Sequence, residues 1–130
     1  MTAESEMRAL AKRFFDSVEA GDIDTLYDCY APDAKIWHNT DEQEQSRDDT
    51  AQTLRGFAKR ISNRVYAKRR LQVFDGGFVH QHELQGVRAD GVELALPACI
   101  VCLVTDGKIT RLDEYFDSAR VAEFRKFAEA

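Results

Sequence analysis

The chain has 130 residues, a formal net charge of −5 at pH 7 and 44% hydrophobic side chains. That length supports one domain spanning residues 1–130, with a real core and little room for a second. The acidic balance repels the nucleic-acid backbone, and the longest apolar run, Ala95 to Val104, is too short for a bilayer and contains Pro97.

In chain order, Met7, Leu10, Ala11, Phe14, Phe15 and Val18 recur at helical spacing and predict an amphipathic helix that stops at Gly21. Asp22 is a natural N-cap for a second, shorter helix carrying Leu26, Tyr27 and Tyr30 and closed by Pro32. A short strand follows from Ala34 to His38, and the polar run Asn39 to Asp48 reads as a loop. Ser46 to Asp49 resembles a helix entry, and Ala51, Leu54, Phe57, Ala58 and Ile61 supply the apolar stripe of a third helix.

After Asn63 the period changes from helical to strand-like. Four β segments are predicted at roughly 65–74, 78–88, 92–104 and 108–116, separated by the turn signals Asp75-Gly76-Gly77, Ala89-Asp90-Gly91 and Thr105-Asp106-Gly107. A last helix is expected from Ser118 to Ala128. Helices segregated from a mostly antiparallel sheet make an α+β fold. Three helices laid over one face of a strongly curved sheet leave a conical hollow, a natural ligand site.

Strand alternation sorts the chemistry. Leu112, Glu114 and Phe116 share one face of the last strand, while Arg111, Asp113 and Tyr115 share the other. Between a leucine and a phenylalanine, desolvation disfavours the charged form of Glu114 and suits it to proton transfer. Ile36 and His38 also share a face, so the strand that buries Ile36 aims His38 inward, toward the sheet that carries Glu114. With its near-neutral pKa, His38 is the natural general base of such a hollow. The alternative is an imidazole that only bonds a backbone carbonyl.

Phe78, His80, His82 and Leu84 share one face of the second long strand. A His-x-His pair suits zinc or iron, but the apolar flanks and the lack of a third ligand at a telling spacing favour polar wall residues, so no metal or other cofactor is expected. Cys99 and Cys102 spell C-x-x-C, yet residues three apart on a strand face opposite ways and cannot readily pair. An odd count of three cysteines, and an N-terminus unlike a secretory signal, point to a reduced, cytoplasmic protein. The strand Val92–Val104 is apolar on both faces, which predicts a homodimer joined through the sheet.

The stretches FFDSVEAGDIDTLYDCYAPDAKIWHN and DGKITRLDEYFDSA, with this element order, resemble the SnoaL-like branch of the nuclear transport factor 2-like superfamily. That superfamily includes ketosteroid isomerases, limonene epoxide hydrolases and scytalone dehydratases. The resemblance places His38 where the isomerases keep an aspartate base, Phe14 where they keep an oxyanion-binding tyrosine, and Cys99 where they keep a protonated aspartate. With both enolate donors replaced, steroid isomerisation by that route is not expected. It also places Glu114 where the hydrolases and cyclases keep an acid on the last strand, with Asp113 facing the wrong way. The hydrolases' arginine and aspartate are replaced near His80 and His82.

Two functions follow. One is an acid–base enzyme (isomerase, cyclase or dehydratase type) acting on a small apolar carbonyl or hydroxy compound. His38 would take a proton and Glu114 would serve the other end of the substrate. His80 or His82 would position it, with Phe14, Phe57, Cys99, Leu112 and Phe116 as walls. The other is a non-catalytic dimeric module for a hydrophobic ligand or a protein partner.

Overall fold

A computed structural model describes residues 2–128. Four helices lie against one sheet, in the order α1 (Glu4–Ala20), α2 (Ile23–Cys29), β1 (Tyr30–His38), β2 (Glu44–Gln45), α3 (Arg47–Arg60), β3 (Ser62–Phe74), β4 (Gly77–Val87), β5 (Glu93–Thr105), β6 (Lys108–Phe116) and α4 (Ser118–Arg125). The α+β class expected from the pattern is the one observed. The sheet has six strands in the order β2-β1-β6-β5-β4-β3, antiparallel throughout except where β1 runs parallel to β6. No helix among the described residues is long and apolar enough to cross a membrane.

Local chemistry sets the element ends. Gly21 takes the left-handed conformation (φ 78°) and donates its N–H to the carbonyls of Ser17 and Val18, closing α1. The Asp22 carboxylate accepts from the Thr25 N–H at 3.2 Å and opens α2. Ser46 does the same for α3 through the Asp49 N–H at 3.1 Å, and Asp117 for α4 through the Ala119 N–H at 2.9 Å. A Cβ on Gly86 would collide with the Ile61 side chain, so this glycine lets the end of α3 sit directly on β4.

Three boundaries differ from the sequence pattern. Tyr30 belongs to β1 rather than to α2, because the chain becomes extended ahead of Pro32. Lacking an N–H, Pro32 lies where the β1–β6 register is interrupted, between Tyr30 and Lys35. The stretch expected as a loop contains β2, where Gln45 pairs with Ile36 and Glu44 with Trp37. Regular helix in α4 ends at Arg125 rather than Ala128.

The main core joins α1, α2 and the sheet through Met7, Leu10, Phe14, Phe15, Leu26, Tyr30, Ile36, Phe78, Ile100, Ile109 and Leu112, among others. A second, smaller cluster gathers Ile61, Leu84, Leu96 and Phe124, with Phe57, Tyr66, Phe116 and Val121 against it. In β3 the register shifts between Ala67 and Arg70, with Lys68 at φ 55°. Arg69 in this bulge reaches Asp16 at 2.7 Å and Glu19 at 3.1 Å, tying the helix layer to the sheet.

A histidine–glutamate pair in a cavity under two helices

The site is built from the end of β1 outward. His38 is the last residue of β1, directly beside Glu114 in the parallel ladder. Asn39 then continues that ladder with its own groups. Its backbone N–H donates to the Glu114 carbonyl at 3.0 Å, its side-chain amide donates to the Phe116 carbonyl at 3.1 Å, and its side-chain oxygen accepts from the Phe116 N–H at 3.0 Å. Three hydrogen bonds thus hold β6 in register with the strand tip, and the two ionisable side chains emerge together.

They meet: His38 Nε2 lies 3.2 Å from Glu114 Oε1, with both side chains mostly shielded from solvent. The His38 ring also stacks on Phe116 at 5.7 Å between centroids. Burial works against the imidazolium, but the Glu114 hydrogen bond and charge, with Asp41 beyond, outweigh it and raise the His38 pKa above 6.5. The sequence pattern suggested two groups confronting each other across the hollow. Because β1 and β6 are adjacent strands, the pair instead stands side by side on one wall, in direct contact.

That wall belongs to a cavity of about 410 Å³ beneath α3 and α4. Leu54, Phe57, Leu84, Leu96, Phe116, Val121 and Phe124 give it an apolar lining, while Thr40, Asp41, Gln45, Gln52, Thr53, Arg60, Tyr66 and Arg125 give it polar atoms. Burial pushes the Tyr66 phenol upward, so it stays a neutral O–H on the wall.

Of the residues expected to form this wall, Phe57 and Phe116 do so with His38 and Glu114. Phe14 and Leu112 do not. Both are fully packed in the main core, where Phe14 meets Phe15 and Tyr30 edge-on. Cys99 is turned to the outer face of β5, beside Pro97 and Tyr115, while Cys102 is buried on the inner face. The opposite orientations of the two sulfurs follow strand alternation.

His80 and His82 face inward, as their pattern requires, but lie under α1 and outside this cavity. Their Nδ1 atoms are 3.0 Å apart and His80 stacks on Phe15 at 3.7 Å. Desolvation, reinforced by the Arg69 charge, lowers His80 to about 4, and desolvation with the neighbouring His80 and Arg69 lowers His82 to about 3. Among the described residues no group of three or more His, Cys, Asp or Glu side chains is placed to hold a metal ion.

Sequence reasoning missed Asn39, Arg60, Tyr66 and Arg125. The two arginines are the last residues of their helices, where apolar periodicity gives no sign that a charged side chain lines a cavity, and Asn39 acts through a bond to a residue 77 positions away.

The sequence matches the model of the SnoaL-like domain over residues 11–112. No curated protein matches it. Among solved structures, a candidate isomerase from Bacillus subtilis has a TM-score of 0.82 at 12% identity, with 97% of this chain and 96% of that one covered. A candidate polyketide cyclase from Xanthomonas campestris pv. campestris gives 0.79 at 18% identity, with 96% and 98% covered. An LEH-like epoxide hydrolase from M. tuberculosis gives 0.75 at 19% identity, with 95% and 92% covered. At these identities the likeness is one of fold. The family match spans most of the chain, and the protein therefore belongs to the SnoaL-like domain family, within a fold shared with structures described as cyclases, isomerases and epoxide hydrolases.

Proposed function

We propose that the protein is a cofactor-independent enzyme of isomerase, cyclase or dehydratase type, acting on a small and largely apolar carbonyl or hydroxy compound. The observation that carries this reading is the His38–Glu114 contact at 3.2 Å on the wall of an otherwise mostly apolar cavity. Ionisable groups beside apolar walls are costly unless paired or used. Pairing through Nε2 fixes the tautomer: Nε2–H donates to Glu114 and leaves the Nδ1 lone pair for a substrate proton. The carboxylate then stabilises the imidazolium that forms. Returning that proton to another atom completes an isomerisation or an aldol-type cyclisation. Delivering it to a leaving hydroxyl completes a dehydration. None of these needs an external oxidant. Positioned acid–base groups contribute typically ~10²–10⁴-fold, and the neutral Tyr66 O–H supplies a donor on the same wall.

Native mass spectrometry of protein purified without added ligand would reveal a retained compound. Turnover of that compound is expected, and His38→Ala should abolish it with little change in Tm. Wild-type turnover in His38→Ala would defeat the assignment. Binding without turnover by the wild type would favour a carrier of hydrophobic ligands. The outer face of β5 and β6, where Leu103 and Tyr115 are exposed, supports a homodimer joined through the sheet.

A further inference from the structure

The same cavity contains two arginines that the acid–base reading leaves idle. Arg60 is the last residue of α3 and Arg125 the last of α4, and both line the cavity with His38. Neither forms an ion pair with an acid among the described residues. Arg60 Nε is buried with no hydrogen-bond partner. Other buried or half-buried arginines all have an acceptor: Arg69 holds Asp16 and Glu19, Arg88 holds Asp90 and Glu123, and Arg111 holds Glu44 and Asp113. Arg64, whose Nε is likewise buried and unpartnered, donates through Nη1 to the Ala58 and Ile61 carbonyls, and Arg47 donates to that of Tyr30. Arg125, in contrast, is exposed to solvent. A cation at a helix C-terminus complements the helix dipole, but the dipole gives the buried Nε no acceptor. The two guanidiniums also disfavour each other. Burial first, and the Arg125 charge second, push the Arg60 pKa down. Arg125 likewise opposes the charge on His38. The acids on this wall are Glu114, which is taken by His38, and Asp41.

We infer that the cavity takes an organic anion: an apolar body bearing a carboxylate, with the carboxylate received by Arg60 and Arg125 and the body lying over Phe57, Leu84 and Phe116 toward His38. Planar guanidinium donors match a carboxylate through paired charge-assisted hydrogen bonds, which the outer nitrogens of Arg60 and Arg125 would supply. A substrate anchored by its acid group presents its reactive carbon to His38 in a fixed orientation. The assignment narrows the substrate class to keto- or hydroxy-acids, and it rests on reading this cavity as the substrate site.

The test compares 3-phenylpropionate with 3-phenylpropanamide, equal in shape and different in charge, by calorimetry at low and high salt. Wild-type protein should bind the carboxylate at least about tenfold more tightly than the amide, with the difference shrinking in salt. Arg60→Gln and Arg125→Gln should each reduce that preference. Arg60→Lys should restore only part of it, because an ammonium keeps the charge and loses the fork. Circular dichroism excludes unfolded variants, and two independent sites keep the test open if one variant fails to fold. Equal binding of acid and amide, failure of the acid to bind at millimolar concentration, or a preference untouched by both substitutions overturns the inference. His38→Ala separates the two readings. It should lose turnover and keep the preference for the acid, whereas a His38→Ala protein with wild-type turnover that still selects the carboxylate sinks the catalytic reading alone.

Discussion

His80 and His82, two residues apart on one face of β4, hydrogen-bond each other through Nδ1 atoms 3.0 Å apart. One ring must donate and the other accept, so the accepting ring is neutral, and protonating it breaks the bond. Their folded pKa values, about 4 and about 3, lie below the ordinary 6.5. An unfolded chain therefore binds protons in this range that the folded rings refuse. Stability is complete above about pH 6.5 and declines as pH falls toward the folded values, by roughly 2 kcal/mol per ring between pH 7 and 5. His38 works in the opposite sense in this window but is common to every variant compared. Urea unfolding at pH 7 and 5 should show a much smaller pH effect in a His80→Gln, His82→Gln double variant than in the wild type. Equal slopes would mean that these rings are not held neutral.

The outer sheet face makes a separate prediction. Strand alternation turns Pro97, Cys99, Val101 and Leu103 outward on β5, and Leu103 is 45% exposed. Beside them Tyr115 packs edge-on against Trp37 at 5.4 Å. A contiguous apolar band of this kind is unusual on a monomer. Light scattering should give twice the chain mass at micromolar concentration, and Leu103→Asp should shift it to the chain mass with the fold intact. A monomeric wild type removes the basis for the dimer.

Much of this architecture is legible in the residues because each signal is local. Gly21, Asp22 and Ser46 mark helix ends through bonds to residues within four positions. Alternation alone aims His38, Glu114 and Phe116 inward and sets Cys99 and Cys102 on opposite faces, but it does not say which sulfur faces the hollow, and Cys99, expected as a wall, is the outer one. What alternation does not give is strand order. Side by side or face to face, His38 and Glu114 would look the same in sequence, and the parallel pairing of β1 with β6 decides between them. Phe14 was misplaced for a related reason. Its apolar face is correct, but α1 covers the main core while α3 and α4 cover the cavity, and an apolar stripe does not say which cluster it will join.

Asn39 is expected to act as a positioning residue. Its side chain makes two bonds to the Phe116 backbone, at 3.1 and 3.0 Å, fixing the strand tip beside β6. Removing them in Asn39→Ala should cost about 2 kcal/mol at about 1 kcal/mol per bond. A purely structural role would stop there. A positioning role also loosens the His38–Glu114 contact, so the His38 titration midpoint, followed by NMR, should move toward that of the Glu114→Gln protein. A destabilised variant with an unchanged midpoint would assign Asn39 to the fold alone.

Glu114→Gln tests the pair directly. In the wild type, burial opposes the His38 charge and Glu114 overrides it, leaving the pKa raised above 6.5. The contribution of His38 to stability is therefore fully present below pH 6.5 and is lost as pH rises through its folded value. Glutamine keeps the size and an acceptor oxygen but removes the negative charge, while burial remains. The His38 midpoint should fall below 6.5 and its stabilising effect at low pH should disappear. If His38 is the base, the acidic limb of kcat/KM moves to lower pH with the midpoint, because a less basic imidazole is free at lower pH. Its kcat should drop at the same time, since the imidazolium formed in the reaction has lost its carboxylate. A midpoint that does not respond to Glu114→Gln would show that the 3.2 Å contact does not govern the proton on His38.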